Sequence, residues 1–150
     1  MITFTVLGSP QGKGRPKSSR RGDRTITYTP EQTVLYENLI KTEYRAQCGL
    51  HRFADDAALD MTVIAYYAIP KSASKKQKAL MLADRVRPTK TPDADNVIKV
   101  VADSLNQVAY RDDAQIVSVW LQKYYSERPR LEVSMREVDT RGERSKIYFN

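Results

Sequence analysis

Leu59-Asp60-Met61-Thr62-Val63-Ile64-Ala65-Tyr66-Tyr67-Ala68-Ile69-Pro70 is the stretch around which the chain organises itself. It is rich in β-branched and aromatic residues and is closed by a proline, so it reads as a central strand. A central strand needs neighbours, and the sequence supplies three. Ile2 to Leu7 alternates apolar residues with Thr and stops at Gly8. Gln115 to Tyr125 and Arg130 to Val138 read as two more strands, joined around Ser126 to Pro129. In the last, Leu131, Val133 and Met135 alternate with Glu132, Ser134 and Arg136, the period-two mark of one buried face.

Three helices fall between these strands. Thr29-Pro30-Glu31-Gln32 supplies a cap, a proline at the first helical position and a Gln three residues after the cap. A helix to about Cys48 follows, with Val34, Leu35, Leu39 and Ile40 on its inner face and Gly49 as its stop. Ser74 with Gln77 repeats the capping-box spacing and opens a short basic helix through Leu82. A third helix is expected from Asp95 or Asn96 to Gln107, burying Val97, Ile98, Val101 and Leu105. Gly8 to Arg24 has no hydrophobic periodicity and is expected to be an exposed basic loop. This order predicts an α+β fold of two layers, one mixed β-sheet with helices packed on it.

With 150 residues, 41% of them hydrophobic and 29% charged, the chain has the length of a single domain spanning 1–150, its polar end from about 139 being peripheral. One cysteine, Cys48, and one histidine, His51, allow neither an intramolecular disulfide nor a four-ligand zinc site, and suit a reducing cytoplasm. Met1 leads straight into the first strand without a basic and then apolar leader, so neither secretion nor a membrane span is expected. The formal net charge of +7 is unevenly spread. Residues 1–30 carry six basic side chains (Lys13, Arg15, Lys17, Arg20, Arg21, Arg24) against Asp23. Residues 71–90 carry seven (Lys71, Lys75, Lys76, Lys78, Arg85, Arg87, Lys90) against Asp84. Two such blocks suit a polyanion, because each contact to a phosphate releases condensed counterions; solubility alone is the plainer explanation.

The richest constellation is Pro92-Asp93-Ala94-Asp95-Asn96, followed by Lys99 and later by Asp112-Asp113. Asp95 and Lys99 share a helical face, and the second acid pair arrives just before a strand, so four carboxylates can converge at one sheet edge. Such a cluster repels itself unless a cation occupies it. Oxygen-only ligands select Mg²⁺ or Mn²⁺. Taken singly, Asp93 and Asp95 are also ordinary helix caps and Asp112-Asp113 an ordinary turn. Together they suit a nuclease, with Lys99 neutralising charge on a phosphodiester in its transition state. Other templates fail. Gly8-Ser9-Pro10-Gln11-Gly12-Lys13-Gly14 lacks the spacing and the Ser/Thr of a phosphate-binding P-loop, and one histidine excludes two-His metal sites. Tyr66, Tyr67, Trp120, Tyr124 and Tyr125 fall in strands, where packing is the expected role, whereas Tyr110 precedes the acid pair in a turn.

These residues resemble the RusA-type Holliday junction resolvases, the crossover junction endodeoxyribonucleases of bacteria and their phages and prophages. The resemblance rests on Lys90 to Asn96, on Lys99, on Asp103-Ser104-Leu105-Asn106 and on Tyr110-Arg111-Asp112-Asp113-Ala114-Gln115-Ile116-Val117. Lys13-Gly14-Arg15-Pro16, Tyr28-Thr29-Pro30 and Ser74-Lys75-Lys76 support it in the same order, over about residues 4–136. It implies a RusA-like fold and a homodimeric enzyme dependent on Mg²⁺ or Mn²⁺ that nicks four-way DNA junctions symmetrically in recombination and repair. Asp93, Asp95 and Asp113 then match the metal-binding carboxylates, Lys99 the catalytic lysine and Asp112 the first acid of the pair. Asp103 has no assigned role. Two incisions related by a two-fold axis suit a C2 dimer. Junction arms would be held by Lys13, Arg15, Lys17, Arg20 and Arg21 in the first block, and by Lys75, Lys76 and Lys78 in the second. A less selective nuclease acting on flaps, forks or duplex, and a basic DNA-binding protein without catalysis, are the alternatives.

Overall fold

The structure is a computed structural model that describes residues 1–138. The expected peripheral tail from 139 onward lies outside the described residues. In chain order the elements are β1 (Ile2–Leu7), β2 (Lys17–Arg21), β3 (Arg24–Tyr28), α1 (Glu31–Cys48), β4 (Leu59–Ala68), α2 (Lys75–Leu82), α3 (Ala94–Ser104), β5 (Ile116–Ser126) and β6 (Arg130–Glu137). A single 3₁₀ turn, Asp113–Gln115, leads into β5.

β4 is central, as its composition predicts. It pairs antiparallel with β6 and parallel with β5, and β6 pairs antiparallel with β1, so one mixed sheet runs β1-β6-β4-β5. Alternation selects the buried face. Leu59, Met61, Val63, Ala65 and Tyr67 of β4 point inward together with Leu131, Val133 and Met135 of β6 and Phe4 and Val6 of β1. Against them lie Tyr36, Ile40 and Tyr44 of α1 and Val97, Val100 and Val101 of α3. Each fully buried aliphatic side chain in such a core contributes roughly 1.5–3 kcal/mol. The α+β fold of helices on a mixed sheet is therefore as expected.

Four local expectations need correction. Lys17 to Arg24, the second half of the expected loop, belongs instead to a hairpin that runs on to Tyr28, because β2 and β3 pair in register from Lys17↔Tyr28 to Arg21↔Arg24. All ten strand residues are exposed, so backbone pairing and not hydrophobic patterning defines it. Gly22 turns it at a φ of 60°, which only glycine adopts without strain.

The inner face of α1 is also rotated from the aliphatic reading. Val34, Leu35 and Leu39 are 42%, 61% and 39% exposed, whereas Thr33, Tyr36, Ile40 and Tyr44 are buried. Two of these polar-tipped residues can be buried because their hydroxyls are engaged. Thr33 Oγ1 accepts from the Gly14 N–H at 3.0 Å, and Tyr44 Oη donates to the His51 carbonyl at 2.8 Å.

α3 stops at Ser104, not Gln107. Gln107 takes a positive φ of 63°, and its N–H bonds back to the Tyr110 carbonyl. Tyr110 itself is a core residue and not an exposed turn residue, with its hydroxyl donating to the Ala102 carbonyl at 2.6 Å. Among the described residues no helix is long and apolar enough to cross a membrane.

Candidate active site

α3 carries acids at both ends. Asp93 occupies the N-cap position with extended backbone, yet its carboxylate makes no capping hydrogen bond. Among the described residues neither the Asp93 nor the Asp95 carboxylate appears in any hydrogen bond or ion pair, and both side chains are exposed. The helix-cap explanation thus fails for Asp93 at the level of its side chain. Lys99 follows Asp95 by one turn, and Asp103 lies one turn further along the same stripe. Eight residues at 1.5 Å per residue put Asp95 and Asp103 about 12 Å apart along the axis.

At the other end, Asn106 positions the second acid pair. Its Oδ1 accepts from the Asp113 N–H at 2.8 Å. Asp112 does act as a cap: its Oδ1 accepts from the Ala114 N–H at 2.8 Å. Gln115 completes the box, accepting from the Asp112 N–H at 3.2 Å and donating to the carbonyls of Ala54 and Ala57. Asp113 is therefore the acid of the pair whose carboxylate is not committed to the turn. Burial pushes its pKa up, aided by the adjoining Asp112 and Asp103 carboxylates. The Ala114 N–H and the shared contact with Asp113 hold Asp112 below the usual range.

Asp103 is in turn tied to the N-terminal basic segment. Lys13 Nζ lies 2.8 Å from Glu37 Oε1 and 3.2 Å from Asp103 Oδ2, bridging α1 and α3. The backbone on either side is pinned closely. A Cβ at Gly12 would meet Asn96 Cβ at 2.9 Å, and one at Gly14 would meet Thr33 Oγ1 at 2.6 Å, so both positions need glycine for space. Burial alone would lower the Lys13 pKa, but the bonds and charges of Glu37 and Asp103 outweigh it and raise it. Lys13 is thus engaged inside the fold.

The other expected phosphate contacts are displayed outward. Lys17, Arg20 and Arg21 lie on the exposed hairpin, and Arg15 and Lys17 line an open groove of about 860 Å³ that reaches Leu35, Leu39 and Pro92. Arg21 and Arg24 sit directly opposite each other, a like-charge pair that a bound anion would relieve. Lys75, Lys76 and Lys78 are exposed on α2, with Lys78 3.2 Å from Glu127.

The acids do not converge within one chain as the sequence suggests. Those whose charge acts on Asp113 are Asp103 and Asp112, not Asp93 or Asp95. Among the described residues no three His, Cys, Asp or Glu side chains are placed to hold a metal ion. One subunit as it stands therefore does not fit a metal bound jointly by Asp93, Asp95 and Asp113. Sequence reasoning also missed Asn106, Tyr67 and Lys123 as neighbours of these acids. Asn106 was visible as the end of the Asp103-Ser104-Leu105-Asn106 motif, but its bond to the Asp113 N–H was not, while Tyr67 and Lys123 come together only through strand register.

Outside the chain itself, a curated relative is similar over nearly its whole length. It is the "Uncharacterized protein YqaN" of Bacillus subtilis (strain 168), 36% identical over 142 residues that cover 91% of this chain and 96% of the relative. Residues 8–136 match the family described as "Endodeoxyribonuclease RusA", a span that takes in the Lys13 strap, both ends of α3 and the strands that hold them. The uncommitted Asp93 and Asp95 carboxylates at the start of α3, Lys99 and this match agree, and the chain belongs to the RusA endodeoxyribonuclease family.

Proposed function

We propose that the protein is a structure-selective endodeoxyribonuclease that resolves four-way DNA junctions by paired, symmetric nicks in recombination and repair. Membership of the family implies Holliday junction endonuclease activity, and its nucleases depend in general on a divalent metal. The observation that carries the reading is the Asp93 carboxylate, held at a helix N-cap yet capping nothing. Asp95 stands beside it and Lys99 one turn on, so two acids and an ammonium face solvent on one edge where a phosphodiester can approach. Lys99 there offsets charge that grows on the phosphate oxygens.

Mg²⁺ or Mn²⁺ is the cofactor in this reading, with Asp93, Asp95 and Asp113 as its assigned ligands. Because one subunit separates these residues along α3, the active unit must bring carboxylates together, which is a reason beyond symmetry for a homodimer. The open edge of β5 suits such a contact. Ile116 to Gln122 carries no charge in a chain of net charge +7, and Val117, Val119 and Trp120 are 62%, 41% and 54% exposed. An uncharged edge is where two like-charged copies meet with least repulsion. The protein acts as one domain in the bacterial cytoplasm, on a chromosomal or prophage gene's account, with Arg15, Lys17, Arg20, Arg21, Lys75 and Lys76 gripping junction arms.

A synthetic four-way junction, a linear duplex and a flap, each incubated with Mg²⁺ or Mn²⁺, test the proposal. Preferential cutting of the junction supports it. Equal rates on all three substrates would indicate a less selective nuclease, and binding without cutting under either ion would indicate a DNA-binding protein.

A further inference from the structure

The link between α2 and α3 has no regular secondary structure before Asp93, yet it is fastened to the sheet at three successive points. Arg87 Nε donates to the Lys123 carbonyl at 2.6 Å and its Nη2 to Gln122 Oε1 at 2.8 Å, while its guanidinium lies 3.9 Å from the centroid of the Tyr124 ring. Lys123 Nζ donates to the Lys90 carbonyl at 2.7 Å. Tyr67 Oη donates to the Pro92 carbonyl at 2.6 Å. Lys123 Nζ also lies 4.8 Å from the Tyr67 ring centroid. Ala65 is the register partner of Lys123 and Tyr67 that of Tyr125, so Tyr67 and Lys123 project from one face of neighbouring parallel strands, two positions apart.

This arrangement is more than generic packing. Among the described residues, Lys123 has no carboxylate within ion-pair distance. A carbonyl and a ring face compensate a partly buried ammonium only in part. An apolar side chain of similar length would fill the space at less cost. What the ammonium and the hydroxyl have in common is that they hold the carbonyls of Lys90 and Pro92, the third and first residues before Asp93. The charge of Asp93 is near enough to act on both groups.

We propose that Lys123, together with Tyr67, is a positioning residue for Asp93: the two fix the turn that presents the Asp93 carboxylate outward instead of letting it fold back to cap α3. This rests on the reading of Asp93 as part of the nuclease site. Lys123 need not touch DNA, because its ammonium is already engaged by the link. A displacement of about 1 Å at a reacting group lowers a rate on the order of 10²-fold.

Lys123→Met, Lys123→Arg and Tyr67→Phe test this. Cleavage of a four-way junction is followed in single turnover at saturating protein, and junction affinity is measured separately in EDTA by fluorescence anisotropy. The expected result for Lys123→Met is a rate reduced on the order of 10²-fold with affinity within about twofold of the parent. Lys123→Arg, which can still donate to the Lys90 carbonyl, recovers most of the rate, and Tyr67→Phe shows a smaller loss of the same kind. If Lys123→Met misfolds, Lys123→Arg and Tyr67→Phe carry the test through their rates and affinities. Parental rates in the folded variants overturn the proposal. So does a loss confined to affinity that vanishes at saturating protein, which would make Lys123 a DNA contact. Failure of the unmodified protein to cut any substrate would instead count against the nuclease reading itself.

Discussion

Lys13 was expected from its sequence block to contact DNA, whereas the structure has it between two helices, and Lys13→Met separates the two roles. Its ammonium is 2.8 Å from Glu37 Oε1 and 3.2 Å from Asp103 Oδ2, so those oxygens lie at most 6.0 Å apart, the sum of the two distances. Without the cation they repel. At 6 Å and an effective dielectric constant of 20 to 80 that repulsion is about 0.7–2.8 kcal/mol. The side chains of Lys13, Glu37 and Asp103 are 22%, 18% and 27% exposed, which places the bridge between a surface pair and a buried one. We expect a loss of about 2 kcal/mol, or roughly 4–8 °C in Tm for a chain of this size. Thermal unfolding at neutral pH and low salt measures it. Adding Glu37→Gln to Lys13→Met should return part of the loss by removing one of the two like charges. The sign with pH is also fixed. Because the folded pKa is raised from 10.5, the contribution of Lys13 is fully present below the unfolded value and disappears as pH rises through the folded one, so the parent and Lys13→Met converge only in strong alkali. Equal unfolding temperatures at neutral pH, with weaker junction binding and a shallower salt dependence, would refute this and restore Lys13 as a phosphate contact.

Asp93→Asn and Asp113→Asn should each abolish cutting while retaining junction binding, as read by cleavage and gel-shift assays; normal cutting by both would overturn the site assignment. Asp113→Asn should also unfold at or above the parental temperature at pH 7. The raised pKa of Asp113 means its stability contribution is full below the unfolded value and is lost as pH rises through the folded one, leaving an ionised group that opposes folding. A marked drop in Tm would contradict that. Replacing Arg20 and Arg21 with serine should lower junction affinity and flatten the log-log salt slope by about 0.9 per lost phosphate contact, with little change in Tm. An unchanged slope would remove the hairpin from the DNA surface.

The legibility of the fold follows the kind of force involved. Strands β4 and β6 were readable because burial of one face imposes alternation, and α2 was readable because Ser74 and Gln77 form the capping box their spacing announces, with the Gln77 N–H bonded to Ser74 Oγ at 3.2 Å. The hairpin was not, since its pairing is by backbone groups that every residue carries. The face of α1 misled because Tyr36 and Tyr44 bury more surface than Val34 or Leu35 while counting as less apolar. Tyr36 does so although its hydroxyl makes no well-formed hydrogen bond among the described residues; burial pushes its pKa up to about 12, the nearby Gln11 backbone offsetting this only in part.

The candidate site divides in the same way. Pro92-Asp93-Ala94-Asp95-Asn96, Lys99 and Asp112-Asp113 stand out as a pattern of residue types at short spacing, so the acids could be named from the chain. Their spatial relation could not. Asp93 and Asp113 are separated by the length of α3, and which acid of the second pair is free depends on the Asp112 cap and the Asn106 bond. Lys13 and Lys123 depend on tertiary contacts with residues far away in sequence. Charge counting placed Lys13 in a basic block without showing that its cation was already occupied, and it did not single out Lys123 at all.

Mapping the nicks on all four labelled strands of an immobile four-way junction, with Mg²⁺ or Mn²⁺ supplied, tests the central claim most directly. The account predicts cuts on two opposed strands at positions related by the two-fold symmetry of the junction, and none on the matching linear duplex. Incisions scattered over all strands, or duplex cut as readily as junction, would contradict it.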